Sequence, residues 1–207
     1  MNLIKSKLSE VDLPPIAELR TGDLIVQTSG SSQSLAIGWA TGSLYTHMGM
    51  VRVYRGQAFV IEAVGPVRIV SLERFIRRGK LSRYSIYRHG DVDDKMSRRI
   101  WRNAKKYLGR SYDLHFSFAN SRIYCSELVF LAYKKGGIVL GSVEELGELN
   151  LGGPFVDKIL KKRWRGHPAC KKAKSFEQCE PLAKKATLIT PASIVDDKKL
   201  RVVTSTY

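Results

Sequence analysis

Cysteine is scarce in this chain of 207 residues: Cys125, Cys170 and Cys179 are the full complement, and three thiols cannot all pair within one chain. The scarcity excludes a disulfide-built framework, which a chain of this length does not need in order to bury a core. No pair of His or Cys residues has the spacing of a zinc site, and His89 and His115 lack partners at ligand spacing. No apolar run approaches the roughly 20 residues of a membrane-spanning helix. The N-terminal MNLIKSKLSEVDLPP has no continuous apolar segment of signal-peptide length, so no export signal is expected in it. A Gly-x-x-x-x-Gly-Lys-Ser/Thr phosphate loop is missing, and Gly152-Gly153-Pro154 reads as a turn. No internal repeat is visible. Acidic residues are also in short supply, 19 against 35 Lys and Arg, leaving a net charge of +16.

That excess calls for an anionic partner. Nucleic acid is the first thought, but the chain has no aromatic RNP-type strand, no zinc-finger spacing and no helix-turn-helix pattern, so nucleic acid is not expected. An anionic membrane or cell-wall surface fits better. Residues 158–165 with Trp164 among them, and the basic series Arg98, Arg99, Arg102, Lys105 and Lys106, are the candidate contacts. The plainer reading of both is a solvated helix face.

The rest of the composition is ordinary, with 43% hydrophobic and 26% charged residues, as in a folded globular domain. The chain is expected to form one α+β domain over residues 1–207, a mainly antiparallel sheet with helices packed on it. Residues 1–20 read as a lead-in that Pro14-Pro15 keeps from being helical. A short strand over residues 24–27 is followed by a helix that starts near Gln33 or Ser34 and ends at Gly42. Strands over residues 47–54 and 58–64 are joined by Arg55-Gly56-Gln57, which pairs residue 54 with 58 and residue 50 with 62. Another strand spans 67–70, Ser71 caps a short helix, and residues 84–88 alternate as a further strand. An amphipathic helix over 91–108 carries Met96, Ile100, Ala104 and Leu108 at four-residue steps and stops at Gly109. A second helix runs from Cys125 to Gly136-Gly137. Residues 141–186 are a basic excursion with little periodicity, and a helical turn at Thr190-Pro191 precedes a closing strand over 200–204.

Three residues carry candidate chemistry. Cys125 sits in the first turn of its helix, where free backbone N–H groups and the helix dipole favour thiolate and can hold an oxyanion. The bland alternative is a small buried hydrophobe. His47 opens an apolar strand; it is either a satisfied structural residue or an imidazole held on a rigid sheet against that thiol. Glu62 interrupts the apolar run Phe59-Val60-Ile61-Glu62-Ala63-Val64, and a carboxylate there needs a partner. That partner is either His47, in the third role of a triad, or one of the many arginines. Cys170 and Cys179, separated by eight residues, form a small-loop disulfide in an oxidising compartment or stay free in a reducing one. The compartment is left open: cell envelope or periplasm if a signal peptide has been removed, cytoplasm otherwise.

The segments GDLIVQTSGSSQSLAIGWATGSLYTHMGMV, FVIEAVGPV and YLGRSYDLHFSFANSRIYCSELV resemble the circularly permuted papain-like amidases of the NlpC-type superfamily, in the YiiX/YaeF-like branch. The resemblance covers roughly residues 20 to 138, with a fainter echo from Thr190-Pro191 onward. Lecithin–retinol-type acyltransferases are similar in placing the histidine before the cysteine. The resemblance implies a permuted papain-like fold, Cys125 as nucleophile, His47 as base and then acid, and Glu62 as the third polar residue. It also implies Tyr124 and Tyr112 as pocket-lining residues that bind substrate. The activity it implies is a thiol amidase, hydrolase or acyltransferase working through an acyl-enzyme without metal or organic cofactor. Its expected substrate is a small peptide, as in cell walls, or a lipid-linked amide. The rival is a non-catalytic binding protein on the same fold that engages anionic lipid or polymer. Oligomeric state is not legible.

Overall fold

The computed structural model describes residues 11–118 and 120–207; the reading of the first ten residues lies outside them. Strand β1 (Leu24–Gln27) is buried throughout. Helix α1 (Ser32–Thr41) stops where Gly42 takes up a left-handed conformation at φ 62°. Strands β2 (His47–Tyr54) and β3 (Gln57–Ala63) form a hairpin. Its turn is the two residues Arg55-Gly56, both at positive φ (49° and 72°), a tight turn whose twist matches that of the strands. This corrects the three-residue turn expected from the sequence. Tyr54 faces Gln57, and Glu62 faces Gly49 rather than Met50.

Strand β4 (Val67–Ser71) follows, and the Ser71 hydroxyl accepts the Arg74 N–H at 3.2 Å to start helix α2 (Leu72–Arg77). Strand β5 (Ser85–His89) leads to helix α3 (Asp94–Lys105), shorter than its apolar pattern because Asp93 caps it by accepting the Met96 N–H at 2.6 Å. Leu108 falls past its end and is exposed. Helix α4 (Cys125–Lys134) carries the thiol. Strand β6 (Glu144–Glu145), helix α5 (Pro154–Arg163), helix α6 (Phe176–Lys184) and strand β7 (Thr187–Leu188) then build the segment for which the sequence showed no regular structure. Helix α7 (Pro191–Val195) and strand β8 (Leu200–Ser205) close the fold.

Six strands make one antiparallel sheet in the order β4-β3-β2-β1-β5-β8. Alternation along the strands gives it two apolar faces. Leu24, Val26, Met48, Met50, Ile61 and Ala63 pack under α3 and α4, which supply Ile100, Leu128, Val129 and Tyr133. Ile25, Val51, Val60 and Ile86 pack against Phe75 and Ile76 of α2 on the other face. Burying each such side chain contributes about 1.5–3 kcal/mol.

Segment 141–186 is tied at its base by the ladder of β6 with β7, Glu144 facing Leu188 and Glu145 facing Thr187. Its far end is closed by a disulfide between Cys170 and Cys179, which with Ala183 form a small apolar cluster beside Leu146 and Trp164. Among the described residues no helix is long and apolar enough to cross a membrane.

Candidate active site

Register brings the polar residues together. Partners across an antiparallel pair share a face, and a slip of one residue moves every side chain to the other side. Had Glu62 faced Met50 it would lie under α4, away from His47. Facing Gly49, it shares the face of His47, one diagonal step along the hairpin. Gly49 leaves that diagonal clear, since a Cβ there would come within 2.5 Å of Val60 Cγ1 and 2.8 Å of the Ile61 carbonyl oxygen. The Nε2 of His47 meets Glu62 Oε2 at 2.8 Å, with both side chains buried, and the ring of Phe75 stacks on the imidazole at 5.4 Å.

The two readings of Glu62 hold at once. Its carboxylate engages His47, and it also accepts from Arg78 Nη2 at 2.6 and 2.5 Å and from Arg68 Nε at 3.1 Å. Arg68 faces Glu62 directly across the β3–β4 ladder. Burial alone would raise the pKa of this acid. The hydrogen bond and charge of His47, followed by those of Arg78, instead hold it down to about 2.

Cys125 begins α4 at the end of the sheet where His47 begins β2. A hydrogen bond joins its sulfur to the imidazole, and the backbone N–H groups of Met48 and Ser126 also point at the sulfur. Since Nε2 is taken by Glu62, the bond to sulfur falls to Nδ1. Burial opposes ionisation of this thiol, but His47 and the two backbone donors more than offset it, and the pKa lies below the usual thiol value. Burial likewise works against a charged His47; its hydrogen bonds and attraction to Cys125 and Glu62 prevail and raise its pKa to about 9. Both shifts favour the thiolate–imidazolium pair over the neutral thiol and imidazole.

The thiol borders a pocket whose empty space, open solvent at its mouth included, is about 1060 Å³. Ala36, Ile37 and Ala40 of α1 form one wall, Val156, Ile159 and Leu160 of α5 another, and Phe176 and Ala183 of α6 with Leu188 and Ile189 the remainder. Segment 141–186 is thus the roof over the thiol. Polar residues also border it, Gln33, His115, Arg163, His167 and Glu180 among them, although the surface it exposes is mostly apolar. Arg163 donates to Gln33 Oε1 at 2.9 Å and to the Leu114 carbonyl at 3.2 Å, clamping the roof to the loop before α4.

The two tyrosines stand behind the cavity rather than in its lining. Tyr124 is the N-cap of α4, fully buried, with its hydroxyl accepting the Ile189 N–H at 3.0 Å and its ring against Phe116 and Phe118. Tyr112 bridges to Ile123 and packs edge-on against Phe116. The loop lines the cavity with its neighbours His115 and Phe116 instead. Sequence reasoning passed over Arg68 and Arg78. Arg68 was within reach of it, because the turn at Gly65-Pro66 pairs Ala63 with Val67 and so sets residue 68 opposite 62. Among the described residues no group of three or more His, Cys, Asp or Glu side chains converges as a metal site.

A thiol at a helix start, polarised by an imidazole carried on an antiparallel sheet that precedes it in the chain, defines a permuted papain-like protein. Residues 18–204 match the family of permuted papain-like amidase enzymes, YaeF/YiiX, C92, and the chain belongs to that family. It is 38% identical over 157 residues to the uncharacterized protein YiiX of Escherichia coli K12, an alignment spanning 74% of this chain and 78% of the relative. The crystal structure of metalloprotein YiiX from Escherichia coli O157:H7 superposes with a TM-score of 0.81 at 33% identity, covering 92% of this chain and 99% of the other.

Proposed function

We propose that the chain is a thiol amidase that cleaves an amide whose acyl part is a long apolar chain. One observation carries the reading: the polarised thiol opens into a pocket whose exposed surface is mostly apolar. The Cys125 thiolate attacks the carbonyl carbon, and N–H groups at the start of α4 stabilise the oxyanion. Collapse breaks the C–N bond as the His47 imidazolium delivers its Nδ1 proton to the leaving amine. A water, deprotonated by His47, then attacks the thioester and releases the acid and the free thiol. Glu62, fixed by Arg68 and Arg78, orients the imidazole through Nε2 and supports its charge. The related crystal structure is that of a metalloprotein, but in this chain the donor set does not suit a metal: Glu62, the acid that holds His47, is already occupied by two arginines and that histidine. No step here passes through one.

The test is a series of N-acyl amides of increasing chain length. If the cavity takes the chain, kcat/KM rises about fourfold per methylene until the cavity is full, from about 0.8 kcal/mol per buried CH₂. Mass spectrometry of rapidly quenched enzyme shows an acyl adduct on Cys125. Equal rates for acetyl and long-chain amides sink the acyl-chain reading. Full activity in Cys125→Ala, or no turnover of any amide, returns the chain to the binding-protein alternative.

A further inference from the structure

The two helices that wall the cavity, α1 and α5, turn apolar side chains outward as well as inward. On α1, Leu35 and Trp39 lie one turn apart on the outer side and are 59% and 51% exposed. On α5, Phe155 is 49% exposed. The three belong to one surface: the Trp39 indole lies against Gly153, the N-cap of α5, and the Asn150 N–H donates to the Ala40 carbonyl at 3.0 Å. Three large exposed apolar side chains on adjoining helices are an expensive surface to leave in water.

The charge beside them is of one sign. Lys158, Lys161 and Lys162 follow Phe155 on α5 and are all exposed. Residues 154–174 hold eight Lys and Arg against a single acid, Asp157, which pairs with Lys161 at 3.0 Å. Tryptophan and phenylalanine rimmed by lysines suit the boundary between headgroups and acyl chains, where an aromatic ring has an apolar and a wet side and the ammonium groups meet phosphates. A second copy of the chain is disfavoured as the covering partner, since both would bring a net charge of +16.

We propose that the outer face of α1 and α5 docks on an anionic lipid bilayer, with Leu35, Trp39 and Phe155 at headgroup depth and Lys158 and Lys162 on lipid phosphates. Docked this way, the cavity lies one helix, about 10 Å across, from the acyl chains of the membrane. That last connection rests on the acyl-amidase reading; the docking itself does not.

Sedimentation with phosphatidylcholine vesicles, with and without phosphatidylglycerol, at low and high salt, tests it. Binding is expected only with phosphatidylglycerol, to fall with salt, and to shift tryptophan emission to the blue. Lys158→Gln with Lys162→Gln lowers the partition coefficient roughly 25-fold, at about fivefold per lysine. Trp39→Ser with Phe155→Ser lowers it at least about tenfold. Both double variants keep their near-ultraviolet circular dichroism and their rate on a short water-soluble amide. Cys125→Ala binds vesicles like the parent protein, which separates a failure of docking from a failure of the amidase reading. Equal binding to the two vesicle types overturns the proposal. So does undiminished vesicle binding by Trp39→Ser with Phe155→Ser, or capture by dextran sulfate without any by phosphatidylglycerol vesicles; the last marks a polymer-binding surface instead.

Discussion

The floor and the roof of the site are built by opposite means. The floor, which lies beside the thiol and outside the cavity lining, is the β2–β3 hairpin in the middle of a six-stranded sheet, whose His47 and Glu62 join Arg68 of β4 and Arg78 after α2 at 2.5 to 3.1 Å. The roof is two short helices, a two-residue ladder and one disulfide around a cluster of three buried residues. Proton transfer tolerates little displacement, and in the proposed mechanism the groups that perform it ride on a cross-linked ladder. A wall that, on the proposed reading, admits a flexible chain has no such need, and this one carries a covalent staple. The floor should therefore fail in chemistry when altered, and the roof in stability and substrate affinity.

The largest effect expected is in the floor. His47→Ala should lower kcat by on the order of 10²–10⁴, measured on the best substrate of the acyl series, an effect larger than the roughly 1–3 kcal/mol of stability lost by removing a buried partner of Glu62. Retained activity would break the contrast at its root. Glu62→Gln tests the same pair more finely. Burial disfavours the charged imidazole, so without the carboxylate His47 loses its proton at a lower pH than about 9, and the alkaline limb of kcat/KM moves down. The substitution also unpairs Arg68 and Arg78 and costs about 1–3 kcal/mol, less than for a fully buried cation because both side chains reach solvent. An unmoved alkaline limb would show that Glu62 is an arginine anchor only.

For the roof, Cys170→Ala with Cys179→Ala should lower stability by about 2–3 kcal/mol, the loop-closure value for so short a ring. In this chain that is a midpoint about 5–10 °C lower by calorimetry. KM for long-chain amides rises and kcat on a short amide holds; a fall in kcat with unchanged KM would merge the two regions. The most gradual effect is linkage. Glu62 has its pKa lowered from 4.5 to about 2, so its contribution is complete above about 4.5 and lost as pH falls towards 2. His47 is raised from 6.5 to about 9, so its contribution is complete below about 6.5 and lost as pH rises towards 9. Urea midpoints should thus rise between pH 2 and about 4.5 as Glu62 ionises, and a flat midpoint over that range would contradict the floor electrostatics.

The sequence showed most of the floor. The strands, the caps at Ser71 and Gly42, and the order of His47 before Cys125 all follow from local chemistry, and so did the place of Glu62 in an apolar strand. The register did not, because the turn length hinges on whether Arg55 accepts a positive φ, and arginine does so only under tertiary constraint. Arg78 lies beyond the end of α2, brought to Glu62 by packing across the sheet face, and no local pattern announces that. The roof helices escaped notice for a different reason. α5 has apolar residues on both its cavity and outer sides, which erases a single stripe, and α6 contains Pro181. A cavity is not a sequence feature at all, being a volume that distant segments agree to leave unfilled.

The closeness of Cys170 and Cys179 also bears on which thiol is left free when the disulfide forms. In an unfolded chain the chance that two thiols meet falls with the length between them, as the three-halves power. The native pair are 9 residues apart, whereas Cys125 is 45 residues from Cys170. While the chain is still unfolded, the statistics favour the native bond over the nearest wrong one by roughly tenfold, about 1.4 kcal/mol. Polymer statistics alone thus give Cys125 a head start as the thiol left over.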